Sequence, residues 1–78
     1  MKFKSENELY KTIGLNIKFF REKAKLTQVQ LANASNLSLS YISKIEASGC
    51  DKSFSIAALN QIANALSIEI IELFKENC

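Results

Sequence analysis

The stretch Thr27-Gln28-Val29-Gln30-Leu31-Ala32 … Ser40-Tyr41-Ile42-Ser43-Lys44-Ile45-Glu46 decides the fold. Thr27 is a good helix N-cap, and Gln30 sits three residues on, where a capping box needs its amide. The helix opened there extends to about Ser35, with Leu31 and Ala32 facing inward. Asn36 follows in the turn, and Asn tolerates a left-handed backbone better than most residues other than Gly. Ser38 caps the next helix, over about residues 39–47, whose inner face is Ile42 and Ile45. Two helices crossing steeply over a short turn need a small residue where their backbones approach. Ala32 is that residue, and Leu31, Leu37, Ile42 and Ile45 plug the angle. The opposite face of the second helix carries Leu39, Ser40, Ser43, Lys44 and Ala47.

Outward from this pair the helical period continues. Upstream, Leu9, Ile13, Ile17, Phe20 and Ala24 recur at spacings of three and four and predict a helix over about residues 7–24, ended by Lys25-Leu26. Residues 1–6 are expected to be flexible. Downstream, residues 47–53 lack period and read as loop. Ser55 caps a fourth helix that buries Ile56, Leu59, Ile62, Ala63 and Leu66. Ser67 is expected to cap a short fifth helix through Ile68, Ile71 and Phe74. The prediction is one all-α domain of five short helices over residues 1–78.

Composition narrows the function. The 78 residues include no Pro, two Gly and no His, so metal sites and imidazole-based catalysis lose their usual residue. Nothing clusters as nucleophile, base or metal site, so no enzyme and no cofactor is expected. Cys50 and Cys78 read as free thiols in a reducing cytosol, and hence a cytoplasmic protein. No apolar run exceeds four residues, which argues against a membrane span or a signal peptide. Residues 11–52 hold Lys11, Lys18, Arg21, Lys23, Lys25, Lys44 and Lys52 against Glu22, Glu46 and Asp51, a net charge of +4. Residues 53–78 hold Lys75 against Glu69, Glu72 and Glu76, a net charge of −2. A basic segment beside an acidic one suggests that one face meets a polyanion and the other points away. Ile70, Leu73 and Phe74 offer more apolar surface than one short helix can bury. They are read as a homodimer interface, with Ile68 and Ile71 turned inward.

The spacing of these residues resembles the helix-turn-helix of the Cro/C1 repressor (Xre-type) family. Gln28 opens the second helix, Ala32 lies four residues on and Ile42 ten beyond that. Tyr41-Ile42-Ser43-Lys44-Ile45-Glu46 is similar to the family's recognition helix. Ile13-Gly14 … Arg21-Glu22-Lys23 … Leu26-Thr27-Gln28 is similar to its first helix and the start of its second. Leu59 … Ile62-Ala63-Asn64-Ala65-Leu66 is similar to its fourth. The likeness covers about residues 12–74. It departs from the pattern at Ser35-Asn36, where the turn Gly and a preceding apolar residue are usual. It departs again at Lys25, where Gly often ends the first helix. The loop after Glu46 is about two residues longer than usual and lacks the customary basic-proline pattern.

The resemblance implies a lambda-repressor-like fold and a sequence-specific regulator that binds double-stranded DNA as a homodimer. It places Leu39, Ser40, Ser43 and Lys44 at base edges. Lys44 can reach guanine O6 and N7, Ser can pair with several bases, and Leu39 can pack on a thymine methyl. It assigns phosphate contacts to Thr27 and Gln28 at a helix N-terminus and to Tyr41, with Ser48, Gly49, Lys52 and Ser53 as further phosphate residues. It pairs Arg21 with Glu46 as a structural tie between the first and third helices. Stand-alone domains of this size resemble phage Cro-type regulators and restriction–modification controller proteins. The alternative on the same fold is a protein-interaction module, such as an antitoxin-like partner.

Overall fold

The computed structural model describes residues 3–47 and 55–75. They form α1 (Glu6–Lys23), α2 (Gln28–Ser35), α3 (Leu39–Glu46) and α4 (Ile56–Ala65), followed by a 3₁₀ helix (Ile70–Phe74). Each α-helix starts on a hydroxyl cap. Ser5, Thr27, Ser38 and Ser55 accept from the backbone N–H three residues on. At Thr27 the box closes both ways: Gln30 N–H donates to Thr27 Oγ1 at 3.1 Å, and Thr27 N–H donates to Gln30 Oε1 at 2.8 Å. Ser5 corrects the expected frayed end, because its cap starts α1 at Glu6. Cys50, Cys78 and most of the predicted loop lie outside the described residues.

Three helices end the same way. Lys25, Asn36 and Ser67 adopt left-handed backbone, with φ of 61°, 58° and 58°. In each case two consecutive N–H groups fold back onto the last turn. Lys25 donates to Glu22 and Leu26 to Arg21. Asn36 donates to Asn33 and Leu37 to Ala32, while Ser67 donates to Asn64 and Ile68 to Ala63. This is the Schellman closure, in which the residue after the left-handed one is apolar and docks on the helix it has just left. Leu26, Leu37 and Ile68 do so against the core. Ser67 therefore ends α4 and does not cap a fifth α-helix. The last element starts after Glu69, has no side-chain cap and is 3₁₀.

The core joins all the elements. Ile13 and Ile17 of α1, Leu31 and Ala32 of α2, Ile42 and Ile45 of α3, and Leu59, Ile62 and Ala63 of α4 are buried, together with Leu66 and Leu73. Packing joins α1 to α3 and to the 3₁₀ helix, and α2 to α3 and α4. Ala24 and Ile56, expected inside, are exposed, because each lies at a helix end turned from this centre. Ile71, expected inside, is 48% exposed, whereas Leu73, expected on the surface, is fully buried. An element of three residues per turn aligns positions 70 and 73, so the inward side is Ile70 and Leu73. Asn16 seals this end from α1: its buried side-chain amide donates to the carbonyls of Leu73, at 2.8 Å, and Lys75. No helix among the described residues is long and apolar enough to cross a membrane.

Gly14 sets how closely α1 approaches α3. A β-carbon there would fall well inside contact distance of the Ile45 carbonyl oxygen and 3.3 Å from its carbon. Backbone cannot swing aside as a side chain can. Gly14→Ala is therefore expected to destabilise by about 1–3 kcal/mol despite the better helix propensity of Ala. A urea midpoint that stays put or rises would contradict this close approach.

Candidate nucleic-acid interface

The apolar period of α3 dictates what it leaves outside. With Ile42 and Ile45 buried, Leu39, Ser40, Lys44 and Ala47 stand exposed and Ser43 lies half-buried at their edge. Leu39 is 45% exposed at the first position of the helix, an apolar side chain in solvent beside two polar ones. These residues form one polar-apolar strip along α3, with the N-terminus of α2 beside it. Thr27 is exposed there and Gln28 half-buried. Tyr41 is half-buried and packs against the core. Ser48, Gly49, Lys52 and Ser53 lie outside the described residues.

Beneath the strip runs a bonded chain. Arg21 Nε donates to Glu46 Oε2 at 2.7 Å and Arg21 Nη2 to Glu46 Oε1 at 3.0 Å, the bidentate pairing that suits a guanidinium fork. Arg21 Nη1 donates to the Leu26 carbonyl at 2.7 Å, tying the same side chain to the turn after α1. Gln28 Nε2 donates to Glu46 Oε1 at 3.0 Å, and Ser43 Oγ donates to Gln28 Oε1 at 3.0 Å. The hydrogen bond to Glu46 holds the Arg21 guanidinium above its ordinary range, against the opposing effect of burial and with help from the carboxylate charges of Glu46 and Glu22. A shallow cleft bordered by Lys18, Gln28, Ser43 and Ala47 opens over the network.

The structure thus brings Arg21, Glu46, Gln28 and Ser43 into one cluster and lays Leu39, Ser40 and Lys44 beside it. Sequence reasoning missed Lys18 at the cleft, although its place one turn before Arg21 is a usable signal. The Gln28–Ser43 bond had no such signal. Leu73, one of the three residues expected at a dimer interface, is core. Ile70 and Phe74 are half-buried against the domain.

Residues 17–73 match the family model described as helix-turn-helix. The immunity repressor protein of Bacillus phage phi105 is 43% identical over 65 residues, 83% of this chain and 44% of that protein. The chain thus spans less than half the length of this relative. The restriction-modification controller protein C.AhdI from Aeromonas hydrophila superposes with a TM-score of 0.77 at 32% identity, over 83% of this chain and 96% of that one. SinR, a master regulator for biofilm formation solved in complex with DNA, superposes with a TM-score of 0.74 at 27% identity, over 81% and 98% of the two chains. This chain belongs to the helix-turn-helix family of the Cro/C1-repressor (Xre) type, a family of DNA-binding transcriptional regulators.

Proposed function

We propose that the chain binds a pseudo-palindromic operator as a homodimer, in the cytoplasm and without catalysis, laying α3 in the major groove of each half-site. The observation that carries this reading is the exposed strip of Leu39, Ser40 and Lys44 on a helix whose other face is locked in the core. A helix that docks in the major groove presents its outward side chains to base edges, and Leu39, Ser40 and Lys44 are of types that can meet them. Lys44 addresses guanine O6 and N7, Leu39 a thymine methyl, and Ser40 and Ser43 neighbouring bases. Thr27, Gln28 and Tyr41 take phosphates, as do Ser48, Gly49, Lys52 and Ser53 on the following loop. Selecting bound sequences from random duplex DNA tests the reading. Two half-sites about one helical turn apart are expected. Lys44→Ala is expected to cost about 1–3 kcal/mol and relax one base pair per half-site. Equal weakening at all sequences would make Lys44 a phosphate contact, and no enriched site would overturn the operator.

The dimer contact proposed here is the 3₁₀ helix, through exposed Ile71 with the outer parts of Ile70 and Phe74. Leu73 contributes only from within the core. Glu69 and Glu72 flank the surface and would keep it away from phosphate. Ile71→Glu is expected to leave a folded monomer with weak operator binding, because the side chain it replaces is already half in solvent. Sedimentation with circular dichroism reads both properties. A variant that remains dimeric, or that unfolds, would place the contact elsewhere.

A further inference from the structure

The chain Arg21–Glu46–Gln28–Ser43 has a direction. Arg can only donate, so it commits both Glu46 oxygens as acceptors. Glu46 Oε1 in turn requires a donor from Gln28 and so fixes which way that amide points. The flipped amide would set two acceptor oxygens against each other at 3.0 Å. With Nε2 turned to Glu46, Gln28 presents Oε1 to Ser43, and the Ser43 hydroxyl must spend its one proton there, across 3.0 Å. An isolated serine on a recognition helix can donate or accept. This one has lost that freedom through the chain of bonds that runs from Arg21 through Glu46 and Gln28.

We propose that Ser43 reads DNA as an acceptor only. Its oxygen takes a hydrogen bond from an exocyclic amino group, adenine N6 or cytosine N4, and Gln28 is the positioning residue that imposes this polarity. The proposal rests on the operator reading above. Of the groups in the major groove, the two amino groups are the only hydrogen-bond donors, whereas purine N7, guanine O6 and thymine O4 accept. Two oxygens facing each other, neither with a proton to give, repel. The constraint therefore excludes contacts that a free hydroxyl would allow.

The experiment uses the full chain and the operator obtained by selection. The base pair whose preference changes in Ser43→Ala marks the position read by Ser43. At that pair, operators are made with the amino donor deleted or with purine N7 replaced by carbon. Deleting the amino group is expected to weaken the unsubstituted protein about 3–10-fold more than it weakens Ser43→Ala, a comparison that cancels any cost to base pairing. Replacing N7 is expected to leave the ratio of the two proteins unchanged. In Gln28→Met, a substitution of similar length without polar atoms, the amino-deletion penalty is expected to shrink although Ser43 remains, with folding checked by circular dichroism. Sensitivity to N7 in place of the amino group would overturn the assignment. A Ser43→Ala variant whose preference matches the parent at every position would do the same. An undiminished penalty in Gln28→Met would remove Gln28 from the account. Failure to enrich any site would overturn the operator reading, and this proposal with it.

Discussion

Arg21→Ala is expected to lower the unfolding free energy by about 3–5 kcal/mol, the range seen when one partner of a buried ion pair is removed. The side chains of Arg21 and Glu46 are 11% and 2% exposed, so removing the guanidinium leaves a carboxylate that is largely out of solvent and short of its charged partner. Among the described residues, Gln28 would be the one donor left to it, and the Leu26 carbonyl would lose the guanidinium that it accepts from. A domain of this length has a total stability of about 4–12 kcal/mol, so the loss is a large fraction of the whole. Glu46→Ala is expected to cost less, because Arg21 keeps the Leu26 carbonyl and has Glu22 at 3.9 Å. Urea denaturation of both single variants and the double variant reads the coupling, and a value near zero would refute the pairing. Because the guanidinium is raised, its stabilisation is fully present below the ordinary Arg range and lost only as pH climbs through the raised folded-state value. Stability near neutral pH is thus expected not to depend on Arg21 titration.

Raising monovalent salt from 50 to 200 mM is expected to weaken operator binding by about 10³–10⁵, the loss for a dimer that neutralises about 6–10 phosphates. The charge distribution motivates this. Residues 11–52 carry +4 and residues 53–78 carry −2, and Lys18 at the cleft and Lys44 on α3 are exposed. The effect belongs to counterion release and is therefore common to specific and non-specific duplexes. A titration of labelled operator and of scrambled duplex across that range should give steep, nearly parallel lines. A flat response would show that phosphates are not what this face meets.

The sequence by itself determined what short-range chemistry decides. Thr27 with Gln30, Ser38 and Ser55 each cap a helix because a hydroxyl or amide a few residues away satisfies backbone groups that nothing else could. Asn36 marked the turn because few L-residues accept its backbone angles. The periods of α1, α3 and α4 identified most of the core and, by subtraction, the exposed strip on α3. The Arg21–Glu46 pair was legible only through family resemblance, since its residues lie 25 apart.

Tertiary structure decided the rest. Lys25 and Ser67 are not residues that favour positive φ. They adopt it because Leu26 and Ile68 must turn back onto the core, and packing outweighs a local cost of about 1–2 kcal/mol. The last element became 3₁₀, which exchanged the roles of Ile71 and Leu73. No sequence period separates three residues per turn from 3.6 over five residues. Asn16, Gly14 and the Gln28–Ser43 bond each answer to a distant partner: the carbonyls of Leu73 and Lys75, the backbone of α3, and a hydroxyl one helix away. Local sequence specifies how each helix starts and which side is apolar. Which polar group meets which across the domain follows only once the helices have packed.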